Sequence, residues 1–331
     1  MPLLGDVVGH KKIKERLKSA LAGRVNHAYL FGGPVGVGKK TIGLAFARAL
    51  LCRRGRGDAC GECDDCVRSE RGVHPDLHII RPEGASIKIH QLRAVQDGAA
   101  ITAFGSGRQV FLVEQVEKMT LAAANCFLKI LEEPPSGVVF ILVTDDPARI
   151  LPTVRSRCQQ YRFTPLSGEE VLQVLANTGT GAEYDADSTR VAAALSGGCP
   201  GRALAMLSGP DKRGAMLELL MRLVRERPGS AFTPVEELAE RENLAEFVNY
   251  AIPFFRDVLI WQTTGSAELL INVDRHSYIV ELAGTYAKHE VMDILITAEK
   301  AFDRLASNVN QRLVLDFLLF KITGLGNDDR G

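Results

Sequence analysis

A glycine-rich segment that ends in a lysine is the first feature with a chemical use. Residues 33–39 have the sequence GPVGVGK and match the pattern of a phosphate-binding loop up to its lysine. In such a loop the backbone N–H groups around Gly33, Gly36 and Gly38 surround phosphate oxygens, and Lys39 reaches the terminal phosphates. A plain turn that ends a strand is the alternative interpretation. An apolar run before the segment and a helical pattern after it favour the phosphate-binding loop.

The position after the lysine departs from this pattern. It should carry Ser or Thr, whose hydroxyl binds magnesium, but here it is Lys40, and the hydroxyl follows at Thr41. One residue along a helix corresponds to about 100° of rotation, so we expect Thr41 to point away from the metal position. Lys40 also brings positive charge to a place meant for a divalent cation. Both residues belong to the candidate nucleotide site, but we expect no well-ordered magnesium there, and ATP binding stays open.

An acidic pair after a buried strand would form the second half of an ATP site. Residues 110–113 (VFLV) are followed here by Glu114 and Gln115. An ATPase needs the first acid to hold the metal and the second to activate the attacking water. Glu114 could still contact a metal-bound water, whereas Gln115 can orient a water but cannot accept its proton. We therefore predict a poor ATPase.

Four of the seven cysteines lie close together in the sequence. Cys52, Cys60, Cys63 and Cys66 are separated by seven, two and two residues, and four thiolates are enough for a closed, structural zinc site. A redox pair or buried free thiols are the alternatives. The density of cysteines and the lack of redox-type flanking residues favour zinc. Because the module lacks aromatic residues for base stacking, we interpret it as a scaffold.

The apolar pattern indicates the elements that would position these residues. Short apolar runs alternate with helical patterns over the first half of the chain, which is typical of a mostly parallel sheet covered by helices. From about residue 164 every long segment has a helical pattern, starting with a cap at Ser167. Loops at 196–201 and 208–210 divide this half. The predicted strands are 28–31, 110–113, 138–143 and 161–163, and the predicted helices include 41–51, 121–132 and 310–323.

The bulk composition argues against some functions. The chain of 331 residues has 40 basic and 40 acidic residues and a formal net charge of zero. This disfavours strong unaided DNA binding, which needs concentrated positive charge. No apolar run reaches the roughly 18 residues of a membrane span, and no secretory signal is apparent. We therefore expect a cytoplasmic protein of two or three domains without a membrane partner.

A phosphate-binding loop whose helix leads into a four-cysteine module resembles the clamp-loader branch of the AAA+ ATPases. Residues 123–135 (AANCFLKILEEPP) are similar to the family's segment after the acidic strand, and residues 156–158 match its SRC motif. Residues 308–313 (NVNQRL) resemble the start of the family's last collar helix. The likeness spans nearly the whole chain, and its motifs are jointly specific.

This resemblance implies roles for three further residues. Thr144 stands where the family has its first sensor of the terminal phosphate. Arg202 lies in the lid, where a second sensor arginine is usual, although a salt bridge within the lid is the alternative. Arg157, in the SRC motif, corresponds to the arginine that crosses the subunit interface and stabilises charge on a neighbour's terminal phosphate. Arginine suits this task because it stays charged and presents a planar fork of donors. Arg155 is the wrong-register alternative.

The resemblance also implies a fold and a branch of the family. We expect an α/β AAA+ domain over residues 1–163, a helical lid over 164–208 and an all-α collar over 209–331. The family's motor subunits carry Thr after the loop lysine and an Asp-Glu pair after the strand. Lys40 and Gln115 depart from both and resemble the delta-prime branch, a stator that does not hydrolyse ATP.

The implied function is that of a subunit of the clamp loader of the bacterial replicative polymerase, DNA polymerase III. Its implied partners are motor subunits of the gamma/tau type and a delta-type subunit in a heteropentameric ring, with the sliding clamp and primer–template DNA reached through the complex. The implied cofactor is structural zinc. Two alternatives stay open, an ATP-hydrolysing motor subunit and a P-loop kinase for small molecules, and so does the question whether the chain is itself an enzyme.

Overall fold

In a computed structural model, the chain is described over residues 2–55, 57–99, 107–179, 183–225, 241–305 and 311–323. These residues belong to two compact units. The first comprises Met1–Val174 and Gly197–Arg202, and the second comprises Leu175–Ser196 and Ala203–Gly331. The division into an AAA+ domain, a lid and a collar at residues 163 and 208 stays a prediction.

The first unit is built on a five-stranded parallel sheet. Its strands are β1 (Ala28–Gly32), β2 (Leu77–Ile80), β3 (Gln109–Val113), β4 (Val138–Thr144) and β5 (Gln159–Arg162). Their spatial order is β2-β3-β4-β1-β5, and all four pairings are parallel. Strands β1, β3 and β4 are buried along their whole length. They are continuous apolar runs because helices cover both faces of the sheet.

Helices pack on both faces of this sheet. The α-helices that precede residue 157 are α1 (Lys11–Ala22), α2 (Lys39–Leu51), α3 (Asp64–Glu70), α4 (Ile89–Ala99), α5 (Leu121–Glu132) and α6 (Pro152–Ser156), of which α3 contacts α2. On one face Phe46 of α2 packs edge-on against Tyr29 of β1, with ring centroids 4.9 Å apart. On the other face Phe127 of α5 packs in the same way against Phe140 of β4, at 5.2 Å. The predicted fold class, a parallel sheet with helices on both faces followed by a helical region, is confirmed.

The predicted element bounds agree closely with the structure, with one omission. Helix α5 has the predicted bounds, and strands β1, β3, β4 and β5 each shift by no more than two residues. The cap at Ser167 is confirmed as a reciprocal capping box. The Glu170 N–H donates to Ser167 Oγ at 3.2 Å, and the Ser167 N–H donates to Glu170 Oε2 at 2.9 Å. Strand β2, at the edge of the sheet, was not predicted from the sequence.

The second half of the chain is helical wherever the structure describes regular elements. Its helices are α7 (Gly168–Asn177), α8 (Ala186–Leu195), α9 (Pro200–Ser208), α10 (Lys212–Arg225), α11 (Arg241–Thr264), α12 (His276–Thr285), α13 (Lys288–Leu305) and α14 (Gln311–Thr323). Among the described residues, no helix has the length and apolar character needed to cross a membrane. The predicted start of the last helix at residues 308–310 lies outside the described residues.

Helix α14 is apolar on two sides. Leu315 and Leu318 are fully buried in the core of the second unit. Leu313, Phe317 and Phe320 instead are 68%, 53% and 44% exposed. They are spaced by four and three residues, so they share one helix face. We call these three residues the outer face of α14.

Candidate functional site

The candidate nucleotide site lies at one edge of the parallel sheet. Strands β1, β4 and β3 are neighbours, so their carboxyl ends meet there, as ligand sites in such sheets require. The glycine-rich loop follows β1, Glu114 follows β3 and Thr144 ends β4. Gly32 pairs with Thr144 in the sheet register. The sheet therefore brings together three segments that are far apart in sequence.

Lys39 is held inside the loop by the chain's own groups. Its side chain is 4% exposed, and Nζ forms an ion pair with Asp145 Oδ1 at 2.7 Å. Nζ also donates to the carbonyl oxygens of Gly33 at 2.5 Å and Pro34 at 2.6 Å. These three oxygens replace the water that the buried ammonium has lost. Lys39 therefore has a full set of acceptors in the absence of any phosphate.

The outer side of the loop is closely packed. The Gly201 N–H donates to the Gly36 carbonyl oxygen at 2.8 Å. Gly36 has φ +79°, and a Cβ there would come within 3.0 Å of the Arg202 backbone nitrogen. Arg202 itself is exposed at this junction. Glycine is thus required at position 36 both for the backbone conformation and for this contact.

A histidine fixes the loop from the other direction. The ring of His10 contacts Phe163 at 4.8 Å between centroids, and His10 Nε2 lies 2.9 Å from the Val37 carbonyl oxygen. Burial lowers the pKa of His10. A neutral imidazole whose Nε2–H donates to the loop carbonyl accounts for this arrangement.

Glu114 is bound by two of the chain's own cations. Its Oε1 atom lies 3.1 Å from Lys40 Nζ and 3.0 Å from Arg81 Nε. Arg81 follows strand β2, which pairs with β3 so that Ile80 lies beside Val113. The carboxylate that would bind magnesium in an ATPase is therefore already neutralised. Lys40 supplies positive charge in a position where a hydroxyl ligand would be needed.

The remaining predicted residues of this site have the following environments. Gln115 has φ +54°, which is unusual for a residue with a side chain and marks a constrained position. Thr144 is fully buried, and its Oγ1 accepts a hydrogen bond from the Asp146 N–H at 3.1 Å. Thr41 is exposed on helix α2, and Gly38 precedes that helix with φ +104°.

The four clustered cysteines converge in space. Their sulfur atoms all lie within 4.8 Å of one another. Cys52 Sγ is 3.9 Å from Cys63 Sγ, and Cys60 Sγ is 3.9 Å from Cys66 Sγ. The backbone N–H of Gly55 points at Cys52 Sγ, at 3.1 Å. This group could hold a metal ion.

The clustered thiols differ in how readily they ionise. Backbone N–H groups of Glu62 and Cys63 lower the pKa of Cys60 to about 6, whereas burial raises the pKa of Cys66 to about 12. One thiolate is thus favoured by the protein alone, and the deeply buried thiol is not. Four thiolates coexist here only if a bound metal ion neutralises them.

Arg157 lies away from the loop, at the end of the short helix α6. Its side chain is 36% exposed. Nη1 donates to the Thr153 carbonyl oxygen at 3.0 Å, and Nη2 donates to Glu132 Oε1 at 2.8 Å. The neighbouring Arg155 is half-buried within α6, where its carbonyl oxygen accepts from Gln160 at 3.4 Å.

Sequence reasoning missed four residues that shape these sites: His10, Arg81, Glu132 and Asp145. Arg81 and Glu132 each bind a predicted site residue that is 25 or more positions away in the sequence, and His10 binds Val37 of the predicted loop, 27 positions away. Asp145 follows the predicted sensor Thr144 directly, and an acidic residue at the end of a buried strand was the one available signal for it.

Comparisons with known proteins agree on one family. A family model described as DNA polymerase III, delta subunit, matches residues 9–167. The chain is 32% identical to the DNA polymerase III subunit delta' of Bacillus subtilis over 308 residues, which cover 90% of this chain and 91% of that protein. It is also 32% identical to the delta' subunit of Pseudomonas aeruginosa, over 94% of this chain and 97% of that protein. The gamma/tau subunit of Mycobacterium tuberculosis is 37% identical, over 52% of this chain and 30% of that protein.

Proposed function

The chain belongs to the family of DNA polymerase III delta-prime subunits, and from that membership we propose that it is the stator of a clamp loader. It takes its place in a heteropentameric ring with gamma/tau-type motor subunits and a delta-type subunit, and through the ring it helps to load the sliding clamp on primed DNA. Its own site does not hydrolyse ATP. Arg157 acts in trans on the nucleotide of the neighbouring motor subunit.

The observation that carries this proposal is the pairing of Glu114 Oε1 with both Lys40 and Arg81. A carboxylate that is shared by two cations has little affinity left for magnesium, and without magnesium the charge on a leaving phosphate is not neutralised. Gln115 cannot act as a base on the attacking water. Arg202 and Thr144 are therefore remnants of a sensing apparatus, and ATP binding is not needed for the stator role.

Arg157 has the properties that an in-trans arginine needs. Its guanidinium is partly exposed, and two of its N–H groups are held by Thr153 and Glu132. The guanidinium has further N–H donors beyond those two bonds, and such a fork suits bidentate binding of phosphate oxygens. The polymerase itself would supply the nucleotidyl-transfer chemistry, so this chain is an auxiliary component.

The four-cysteine group fits a structural zinc ion. For zinc–sulfur bonds of about 2.3 Å, a tetrahedral site places its sulfur atoms about 3.8 Å apart. The two sulfur–sulfur distances of 3.9 Å agree with that value. Cys52, Cys60, Cys63 and Cys66 would fill all four positions, so the ion would crosslink the end of α2 to α3 and leave no site for chemistry.

Replacing Arg157 by alanine tests the in-trans role. In a reconstituted loader, Arg157→Ala should lower the DNA-stimulated ATPase roughly 10³-fold per affected site, the usual weight of such an arginine. Ring assembly, followed by gel filtration, should be unchanged. Arg155→Ala is the matched control and should retain activity. An ATPase rate unaffected by Arg157→Ala would rule out the in-trans role.

Freeing Glu114 tests the state of the chain's own site. Isolated wild-type chain should show no Lys39-dependent ATP turnover and no magnesium dependence in any nucleotide binding measured by calorimetry. The double variant Lys40→Thr/Arg81→Ala should gain magnesium-dependent affinity of about tenfold, equivalent to about 1.4 kcal/mol. Turnover by the wild-type chain that Lys39→Ala abolishes would instead identify a motor subunit.

Metal analysis of the purified chain tests the zinc assignment. We expect one zinc per chain by elemental analysis, and chelation should lower the midpoint of thermal unfolding because the binding energy of a structural ion stabilises the fold. Cys63→Ser should lose the metal. Cys126→Ser, outside the cluster, should keep it. Absence of zinc from wild-type protein prepared without chelators would contradict the assignment.

Charged substitutions on the outer face of α14 test how the chain joins the ring. Leu313→Lys/Phe317→Lys should weaken co-purification with motor and delta-type subunits at least tenfold, because the two large apolar side chains are exposed on one helix face. Far-ultraviolet circular dichroism should remain that of the folded chain.

The control for this experiment is Leu269→Lys, since Leu269 is 53% exposed and lies off α14. It should assemble normally. Equal binding by the α14 variant and the control would exclude this face from the interface.

A further inference from the structure

Glu132 and Arg157 form an ion pair between two helix ends of the first unit. The Arg157 Nη2 atom lies 2.8 Å from Glu132 Oε1, and both side chains are partly exposed, at 36% and 51%. Glu132 is the last residue of α5, which Pro134 stops. Arg157 follows α6 directly. The pair thus joins two elements that are separated by 25 positions in the sequence.

A second contact fixes the same guanidinium. Arg157 Nη1 donates to the carbonyl oxygen of Thr153, at 3.0 Å. That carbonyl, which also accepts from Ser156 Oγ at 3.1 Å, lies in helix α6, whose carboxyl end favours positive charge. The Arg157 backbone N–H also bonds to the Val154 carbonyl oxygen at 3.2 Å. Both the backbone and the two Nη atoms of Arg157 are therefore restrained.

Helix α6 is too short to orient the arginine by itself. It spans five residues, and an arginine side chain loses up to about 2 kcal/mol of conformational entropy when it is fixed. Packing anchors the helix, because Val154 is buried in the same cluster as Ile130 and Leu131 of α5. Glu132, from the neighbouring helix, extends this anchoring to the Nη2 side of the guanidinium, while Thr153 holds Nη1 from within α6.

We propose that Glu132 is a positioning residue for Arg157, holding one edge of the guanidinium so that its other N–H donors face the phosphate of the adjacent subunit. The inference rests on the proposed in-trans role of Arg157. Glu132 does not touch the nucleotide. Its carboxylate restricts the arginine before the subunits meet, so that less ordering remains for the transition state.

A purely structural ion pair would behave differently. A partly exposed pair contributes little to stability, so its loss should leave unfolding and assembly nearly unchanged in either case. A positioning role is distinguished by kinetics. If Glu132 positions Arg157, removing its carboxylate lowers kcat of the ring's ATPase while KM for ATP changes little. This effect depends on the presence of Arg157.

The test is steady-state ATPase of the complete reconstituted loader with primed DNA and clamp. Glu132→Ala should lower kcat roughly tenfold. This loss is smaller than the ~10²-fold loss of rate that a displacement of about 1 Å can cause. Glu132→Gln, which keeps an acceptor oxygen, should recover part of that loss. The matched control is Glu133→Ala, the adjacent exposed carboxylate. It should leave kcat unchanged.

A double-mutant cycle distinguishes the positioning role of Glu132 from the in-trans role of Arg157 on which it rests. Glu132→Ala should add nothing to Arg157→Ala if the two residues act as one unit. Full activity of Glu132→Ala beside a strongly impaired Arg157→Ala overturns the positioning role and leaves the in-trans role standing, as does a multiplicative loss in the double variant. Full activity of Arg157→Ala overturns both.

Discussion

Burial of the Lys39 ammonium is the constraint on which the candidate site depends. A charge taken out of water must find its partners in the protein, and Lys39 finds Asp145 and two carbonyl oxygens of its own loop. The register that aligns Gly32 with Thr144 brings Asp145 to the loop. In an active ATPase the phosphates would supply this negative charge. Here Asp145 and two loop carbonyl oxygens supply it.

Groups of the chain also take the place of a ligand at the position where magnesium would bind. Lys40 and Arg81 bind the carboxylate that would otherwise face magnesium. The ion pairs of Glu114 with Lys40 and with Arg81 are partly exposed and contribute little to stability. They nevertheless place two cations of the chain beside the Glu114 carboxylate. The chain has thus kept the architecture of a nucleotide site while its charges are balanced from within.

Local patterns in the sequence predicted the parts of this structure that local forces determine. Continuous apolar runs marked β1, β3 and β4 because both faces of these strands are buried. Pro134 and Pro135 fixed the end of α5, and the cysteine spacing predicted the sulfur cluster. Strand β2 was missed because it is short, lies at the sheet edge and is only partly buried. Arg81 was not predicted either, because its position beside Glu114 depends on the pairing of β2 with β3, and the two residues are 33 positions apart.

Lys39 and Arg157 differ in the exposed fraction of their side chains, which is 4% for the lysine and 36% for the arginine. The buried lysine binds groups of its own loop and Asp145, whereas part of the arginine faces solvent. A phosphate at Lys39 would compete with Asp145 and with two loop carbonyl oxygens that already bind the buried ammonium. A phosphate at Arg157 would meet donors that lie outside its bonds to Thr153 and Glu132, so no existing contact has to break. The inner cation therefore has its partners within the fold, while the outer one is held in place yet stays 36% exposed, as the proposed in-trans role of Arg157 requires.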